Sequence, residues 1–260
     1  MLAQLGLASR REAESWIRAG RLTVNGRPAA LGMRVMPQEQ IRLDGRLVRR
    51  RPQAAIPLLP VLMCHRSPGE PLLEPRQGPA PAARADTASA AISMAARLPR
   101  RAGRRFISIS PMPTVDGGLE LLTADGAEAA HLQRAMRTIE MEFSLRVRGE
   151  LDEQQRQAIA QGQLDDGSVL QIVLLEPAGG EGSNRWYRLV AVGASGNQVR
   201  QLIERAGVTL VRLLRTRIGS LTLPRSVPRG RWRELEPAEL ARVTTAARAV
   251  SAAGSPDSAR

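Results

Sequence analysis

The sequence contains no lysine, a single cysteine and few aromatic residues. All 38 basic residues are therefore arginine, and aromatic residues make up 2% of the 260 positions. The lone Cys64 excludes an internal disulfide framework and favours a reducing compartment. Scarce aromatics argue against a base-stacking platform as the main device for holding nucleic acid. The core must be built from Leu, Val, Ile and Ala, and the hydrophobic content of 43% is large enough for it.

Metal-binding and membrane-spanning patterns are also missing. The two histidines, His65 and His131, lie far apart and have no cysteine partners, so no zinc-type spacing exists. No apolar run approaches ~20 residues, and the N-terminus lacks a charged-then-apolar signal. We therefore expect a cytoplasmic protein that binds no metal and enters no membrane.

Positive charge is present in excess. The formal net charge is +13 and the sequence pI is about 11.6. A GC-rich genome would explain arginine in place of lysine, but it would not explain the excess. The excess favours a polyanionic partner, most simply nucleic acid, because guanidinium groups suit phosphate oxygens and base edges. An anionic membrane is the weaker alternative, since no long basic amphipathic helix stands out.

Composition divides the chain into a small module, a linker, a larger domain and a tail. A segment rich in Pro, Gly, Ala and Arg interrupts the larger domain, and an Ala- and Ser-rich stretch ends the chain. The predicted boundaries are 1–50 for the module, 51–60 for the linker, 61–240 for the domain with an insert at about 66–104, and 241–260 for a frayed tail.

The first 50 residues carry the signals of a helix followed by two hairpins. Ser9 and Glu12 form a capping box, and Gly20 ends the helix that follows. Asn25–Gly26 and Asp44–Gly45 are the dipeptides that most strongly predict two-residue hairpin turns. The module is therefore predicted to be a helix packed on short antiparallel strands.

The larger domain mixes strands and helices. Met141, Phe143, Leu145 and Val147 alternate with polar residues and predict a half-buried strand. Asp152 is the expected N-cap of a helix. Strands are predicted at 61–65, 106–109, 119–122, 141–147, 170–175 and 208–214, and helices at 87–98, 127–136, 152–160 and 197–206.

Two stretches resemble known families. The string ASRREAESWIRAGRLTVNG at residues 8–26 resembles the αL RNA-binding domain. The string GLELLTADG at residues 118–126 resembles the strand and turn that follow the catalytic loop of pseudouridine synthases that modify ribosomal RNA. The resemblance implies an α+β protein. A small αL RNA-binding module would precede a pseudouridine synthase-like domain with a central mixed or antiparallel sheet and a cleft.

The resemblance also implies where the family's catalytic residues should stand. The family segment reads approximately G-R-L-D-x-x-T-x-G-L-L-L-L-T-N-D-G, and its catalytic Asp falls on Pro113. The Tyr that lies over the base falls on Phe143, and the Arg that keeps the Asp ionised falls on Asn197. Phe143 could still stack on a base but could not transfer a proton. The family uses no metal or cofactor, so none is expected here.

The three replacements are physically consistent with one another. An Arg left without its Asp would be a buried, unpaired charge, which is costly, so losing both removes that cost. The joint loss indicates an RNA-binding member of the family that is impaired in converting uridine to pseudouridine in ribosomal RNA. No catalytic residue is intact.

Two other hypotheses stay open. Asp116 could act as a relocated acid in an active synthase. It lies three residues beyond Pro113, ~10 Å along an extended chain, and a turn is the commoner role for such a residue. Alternatively, the chain could be a protein-binding adaptor, for which a large exposed apolar patch would be the sign.

Residues of the αL-like stretch are the predicted RNA contacts, because in the family its helix and following loop touch the RNA backbone. The alternative is that these arginines are simply solvated. The predicted monomer would bind RNA through Ser9, Arg10, Arg11, Arg18, Arg21, Asn25, Arg27 and, in the larger domain, Arg200.

Overall fold

A computed structural model defines the fold. It describes residues 10–36, 38–48, 60–73, 93–99, 105–180, 182–243 and 245, without the side chains of Arg10 and Arg11. The chain divides into a smaller unit, Met1–Leu59 with short segments at 101–105 and 124–126, and a larger unit that holds the rest. Ser9, most of the predicted linker, most of the insert and most of the tail lie outside the described residues.

The smaller unit is a helix and a four-stranded antiparallel sheet, as predicted. Leu22, Val24 and Ile41 form its core, against which Trp16 and Ile17 pack. Both residues of each hairpin turn have positive φ, which Asn, Asp and Gly tolerate best. The elements are α1 (Arg10–Arg18), β1 (Leu22–Val24), β2 (Arg27–Pro28), β3 (Ile41–Leu43) and β4 (Arg46–Leu47), in the sheet order β2-β1-β3-β4.

The larger unit is built on a mixed sheet. Its strands are β5 (Leu62–Arg66), β6 (Ile107–Ser108), β7 (Gly117–Thr123), β8 (Glu140–Arg148), β9 (Ile172–Pro177), β10 (Asn184–Val192), β11 (Leu210–Ile218), β12 (Leu221–Thr222) and β13 (Trp232–Glu234). Its helices include α2 (Gly126–Ala135), α3 (Glu153–Gln161) and α4 (Gly196–Arg205). The main path runs β13-β5-β7-β11-β8-β10-β9, and β7 and β11 pair in parallel. The predicted α+β class with a mixed sheet is confirmed.

The main core lies on one face of this sheet. Met141, Phe143, Leu145 and Val147 of β8 are buried, while the residues between them are not, so the predicted alternation is confirmed. Val199, Leu202 and Ile203 of α4 pack into the same core. Asp152 caps α3 through a capping box with Gln155, also as predicted. No helix in the described part of the chain is long and apolar enough to cross a membrane.

Three predicted boundaries were wrong. Arg66 belongs to β5 and is fully buried, rather than opening a loop, because strand partners satisfy its charge. Of the helix predicted at 87–98, the described residues form only a 3-10 turn at Met94–Arg97, which Ser93 caps. A helix covers 237–243, so the first residues of the tail predicted at 241–260 are helical, and Leu240 and Val243 of this helix lie one turn apart and pack on the main core.

A bidentate ion pair joins β13 to this last helix. Nη1 of Arg233 lies 2.7 Å from Oε2 of Glu239, and Nη2 lies 2.7 Å from Oε1. Hydrogen bonding to Arg233 lowers the pKa of Glu239 to about 2. The pKa of Glu239 is lower in the folded than in the unfolded state. The ionised carboxylate therefore stabilises the fold fully at a pH above the unfolded-state pKa. This contribution is lost as the pH falls towards about 2.

We expect the free energy of unfolding lost in Glu239→Gln to shrink as the pH falls from about 5 to about 2. Urea unfolding of the native chain and the variant at several pH values would measure this difference. Glu236→Gln removes the same charge from the residue before the helix, and no ion pair is formed by Glu236 in the described structure. A Glu239→Gln difference that did not change with pH would contradict the expectation.

Candidate active site

The loop before β7 is anchored by Arg66 of β5. Its Nη1 donates to the carbonyl oxygens of Glu70 at 2.7 Å and Thr114 at 3.3 Å. Its Nη2 donates to those of Met112 at 3.1 Å and Pro113 at 2.8 Å. One buried guanidinium therefore fixes three consecutive loop carbonyls, including that of the residue at the family's catalytic Asp position.

Arg66 belongs to a buried Arg–Glu–Arg triad. Glu120 of β7 accepts from Arg66 Nε at 3.0 Å and from Arg215 Nη2 of β11 at 3.0 Å. It also accepts from the Met112 backbone N–H at 3.1 Å, while Arg215 donates to the Ser110 carbonyl at 2.6 Å. All three charged side chains are 0% exposed. Strands β5, β7 and β11 thus jointly hold the loop.

Burial opposes the charged forms of Glu120 and Arg215 in this triad. Burial raises the pKa of Glu120, and the guanidiniums of Arg215 and Arg66 and the Met112 N–H oppose that rise. Burial likewise lowers the pKa of Arg215, against the effect of Glu120. The carboxylate is surrounded by donors and closed to solvent, so it is placed to hold the loop rather than to react with a nucleoside.

Pro113 and Asn197 lie on facing segments. A Cβ on Gly196, the first residue of α4, would fall 2.7 Å from Cδ of Pro113 and 2.6 Å from Sδ of Met112. The loop and the start of α4 are therefore in close contact. Asn197 follows Gly196 and is exposed, and Pro113 is half-buried. The structure thus brings two of the three predicted positions to one place.

Phe143 lies deeper, in the main core. It is the cross-strand partner of Arg215, whose guanidinium reaches Ser110 at the start of the loop. Its ring is 0% exposed and belongs to the main core. The predicted stacking of Phe143 on a base would therefore require its neighbours to move.

Asp116 and Arg200 are bound to each other. Arg200 Nε lies 3.0 Å from Oδ2 of Asp116, and Arg200 Nη2 lies 2.5 Å from Oδ1. Asp116 is fully buried, whereas Arg200 keeps 24% of its side chain exposed and also binds Glu204. The bond to Asp116 raises the pKa of Arg200. Asp116 could act as an acid only by breaking this pair, whereas Arg200 keeps a part of its side chain at the surface.

Two of the predicted RNA contacts in the smaller unit also have internal roles. Arg21 forms a bidentate pair with Asp44, and its guanidinium lies 5.9 Å from the centre of the Trp16 ring. The Asn25 side chain accepts from the backbone N–H of Gln40 at 2.9 Å. Both side chains are placed by these bonds and stay at the surface.

The remaining predicted contacts are exposed or lie beyond the described part. Arg18 is 65% exposed and makes only a long ion pair of 3.9 Å with Glu14. Arg27 is exposed on β2. The backbones of Arg10 and Arg11 begin α1, and Ser9 lies outside the described residues.

Sequence reasoning missed the triad. One signal could have revealed Glu120: a single acid interrupts the apolar run Leu119–Leu122, at a position where the family pattern G-L-L-L-L-T has leucine. Such an acid in a buried strand requires cationic partners. Nothing local would have identified Arg66 and Arg215 as those partners. In the described ranges, no group of three or more His, Cys, Asp or Glu could hold a metal ion.

Comparison with known proteins agrees with this architecture. Residues 1–41 match the S4 domain family. A solved pseudouridylate synthase shares the fold, with a TM-score of 0.57 at 18% identity, covering 93% of this chain and 96% of that one. The matched domain and the shared fold therefore define a protein with an S4 domain and a pseudouridine synthase-like fold.

Relatives by sequence specify the family further. The ribosomal large subunit pseudouridine synthases B of Salmonella typhimurium (strain LT2) and Escherichia coli (strain K12) are each 36% identical over 242 residues. These alignments cover 92% of this chain and 79% of each relative. The chain belongs to the ribosomal large subunit pseudouridine synthase B family.

Proposed function

We propose that this chain binds ribosomal RNA and has lost the ability to isomerise uridine. The observation that carries the proposal is the residue at position 113. Pro113 supplies no carboxylate. Glu120 accepts a hydrogen bond from the Met112 N–H of the same loop, and the backbone N–H of Asp116 donates to the Pro113 carbonyl. Both acids are fully buried and ion-paired. The structure offers no exposed acid in their place on the described loop.

The chemistry of the family supports this proposal. Isomerisation needs an ionised acid within reach of the sugar or base, and a group able to move a proton near the ring. Proline can provide neither function, and Phe143 has no hydroxyl group. Asn197 is neutral and exposed, so it cannot keep a buried carboxylate charged.

The binding half of the proposal rests on charge and on the S4 domain. A net charge of +13 supplies many potential phosphate contacts. We propose the exposed Arg18 and Arg27 of the smaller unit as contacts, together with Ser9, Arg10 and Arg11. Arg21, Asn25 and Arg200 would contribute to RNA binding only through the exposed parts of their side chains. We further propose that the protein acts in the cytoplasm as a monomer.

We expect no new pseudouridine when the purified protein is incubated with ribosomal RNA from cells that lack it. Carbodiimide treatment followed by reverse-transcription sequencing would map each pseudouridine as a stop. The Escherichia coli relative, incubated with its own unmodified ribosomal RNA, serves as the positive control. Binding of the same RNA, measured against salt, should give a sloping log–log plot.

A new modification stop would contradict the loss of catalysis. If that stop disappeared in Asp116→Asn, the relocated acid would be identified as the catalyst, despite its burial and its pair with Arg200. A flat salt dependence would reject phosphate contact, whatever the result of the modification assay.

A further inference from the structure

One face of the main sheet carries arginines that have no acidic partners. Arg146 and Arg148 of β8 alternate with Leu145 and Val147, so they lie on the face opposite the main core. Arg146 is the cross-strand neighbour of Trp186 on β10 and of Arg212 on β11. We call Trp186, Arg146 and Arg212, together with Arg148, the arginine row. It lies entirely within the larger unit.

The charges of the arginine row are not compensated in the described structure. Arg148 and Arg212 make no side-chain hydrogen bond or ion pair there, and Nε of Arg146 is buried without a hydrogen-bond partner. The Arg146 guanidinium lies 5.9 Å from the centre of the Trp186 ring. Like charges directly opposite each other on neighbouring strands cost free energy, so Arg146 beside Arg212 is unfavourable in the isolated chain.

The rest of the same face shows that acids were available nearby. Arg188 of β10 binds Glu142 at 2.9 Å and Glu176 at 2.8 Å. Arg217 of β11 also pairs with Glu142, at 3.5 Å. Positive charge is therefore neutralised at one end of the face and left free at the other. An anionic ligand bound at the free end would remove the repulsion.

We propose that the arginine row binds the backbone phosphates of an RNA strand, with Trp186 against a base. The proposal takes RNA as the partner from the proposed function but assigns it to the face of the sheet opposite the main core. Side chains on adjacent strands are roughly 5 Å apart, so two or three guanidiniums converge on one short stretch of backbone. The half-buried Trp186 favours RNA over an acidic peptide, because a base can stack on its ring.

The test compares two double variants that each remove two positive charges from this face. Arg146→Gln with Arg212→Gln alters the arginine row, and Arg188→Gln with Arg217→Gln alters only arginines that already have partners. Anisotropy of a labelled ribosomal RNA fragment would give affinity between about 50 and about 200 mM salt. The first variant should lower the log–log slope by about 2 and weaken binding roughly tenfold or more. The second variant should change both the slope and the affinity much less.

The outcomes separate this proposal from the proposed function. If the native chain bound RNA and the first variant had the same slope and affinity, the proposed role of the arginine row would be refuted, while RNA binding by the protein would stand. Equal weakening in both variants would also refute it, because only total charge would then matter. If the native chain showed no salt-dependent binding of RNA, the proposed function itself would be refuted. Tighter binding of a polyglutamate peptide than of RNA, lost in the first variant, would instead assign the row to an acidic protein partner.

Discussion

Replacing Glu120 with leucine is expected to lower the free energy of unfolding by about 3–5 kcal/mol. The change leaves the guanidiniums of Arg66 and Arg215 buried without a counter-charge, and it leaves the Met112 N–H without its acceptor. Leucine stands at this position in the family pattern, so the loss should be electrostatic rather than steric. Urea unfolding followed by circular dichroism measures it.

Glu150→Leu is the matched control. It is the same substitution, and it removes a carboxylate that lies 2.9 Å from Arg185, but Glu150 is 70% exposed. We expect a change within about 0.5 kcal/mol, because exposed ion pairs contribute little. If Glu120→Leu were as mild as this control, the triad would not anchor the loop.

Gly118→Ala is expected to cost about 3 kcal/mol or more. Gly118 lies where β7 pairs in parallel with β11, and its φ is +98°. A Cβ there would fall 2.3 Å from the carbonyl oxygen and 2.7 Å from the nitrogen of Arg215, both of them backbone atoms. The two strands could not stay paired without moving apart. Urea unfolding, and hydrogen exchange of the β7 amides, would show the loss.

Gly167→Ala separates the clash from backbone strain. Gly167 has a similar φ of +80°, but a Cβ there would meet no atom within 4 Å. We expect this control to cost only about 1–2 kcal/mol, the penalty for a left-handed alanine. Equal losses in the two variants would mean that strain alone explains Gly118, and that the strands do not approach each other so closely.

Local features of the fold could be predicted because their causes are local. Asn25–Gly26 and Asp44–Gly45 require positive φ at adjacent residues, which few other dipeptides tolerate. Asp152 reaches only three residues along the chain to cap α3. The alternation in β8 has a period of two, and this pattern of apolar and polar residues is visible in the sequence itself. The burial of Val243 was missed because its partners are distant in sequence.

The candidate site was predicted only in part. Resemblance to a family identified Pro113, Phe143 and Asn197 as its altered positions. It did not show that Phe143 is fully covered, or that Asp116 is bound by a residue 84 positions away. Glu120 reaches partners 54 and 95 residues away. Such pairs exist only because β5, β7 and β11 lie side by side.

The sequence by itself determined the turns, the caps, the alternating strand, the excess of arginine and the missing acid at position 113. Each of these depends on residue type or on neighbours within one turn or strand. The tertiary structure alone decided which charges are sealed in the interior, which pair with one another and which stay uncompensated on the sheet. The physical reason is that the free energy of a charge depends on its surroundings, and strands far apart in the chain supply them.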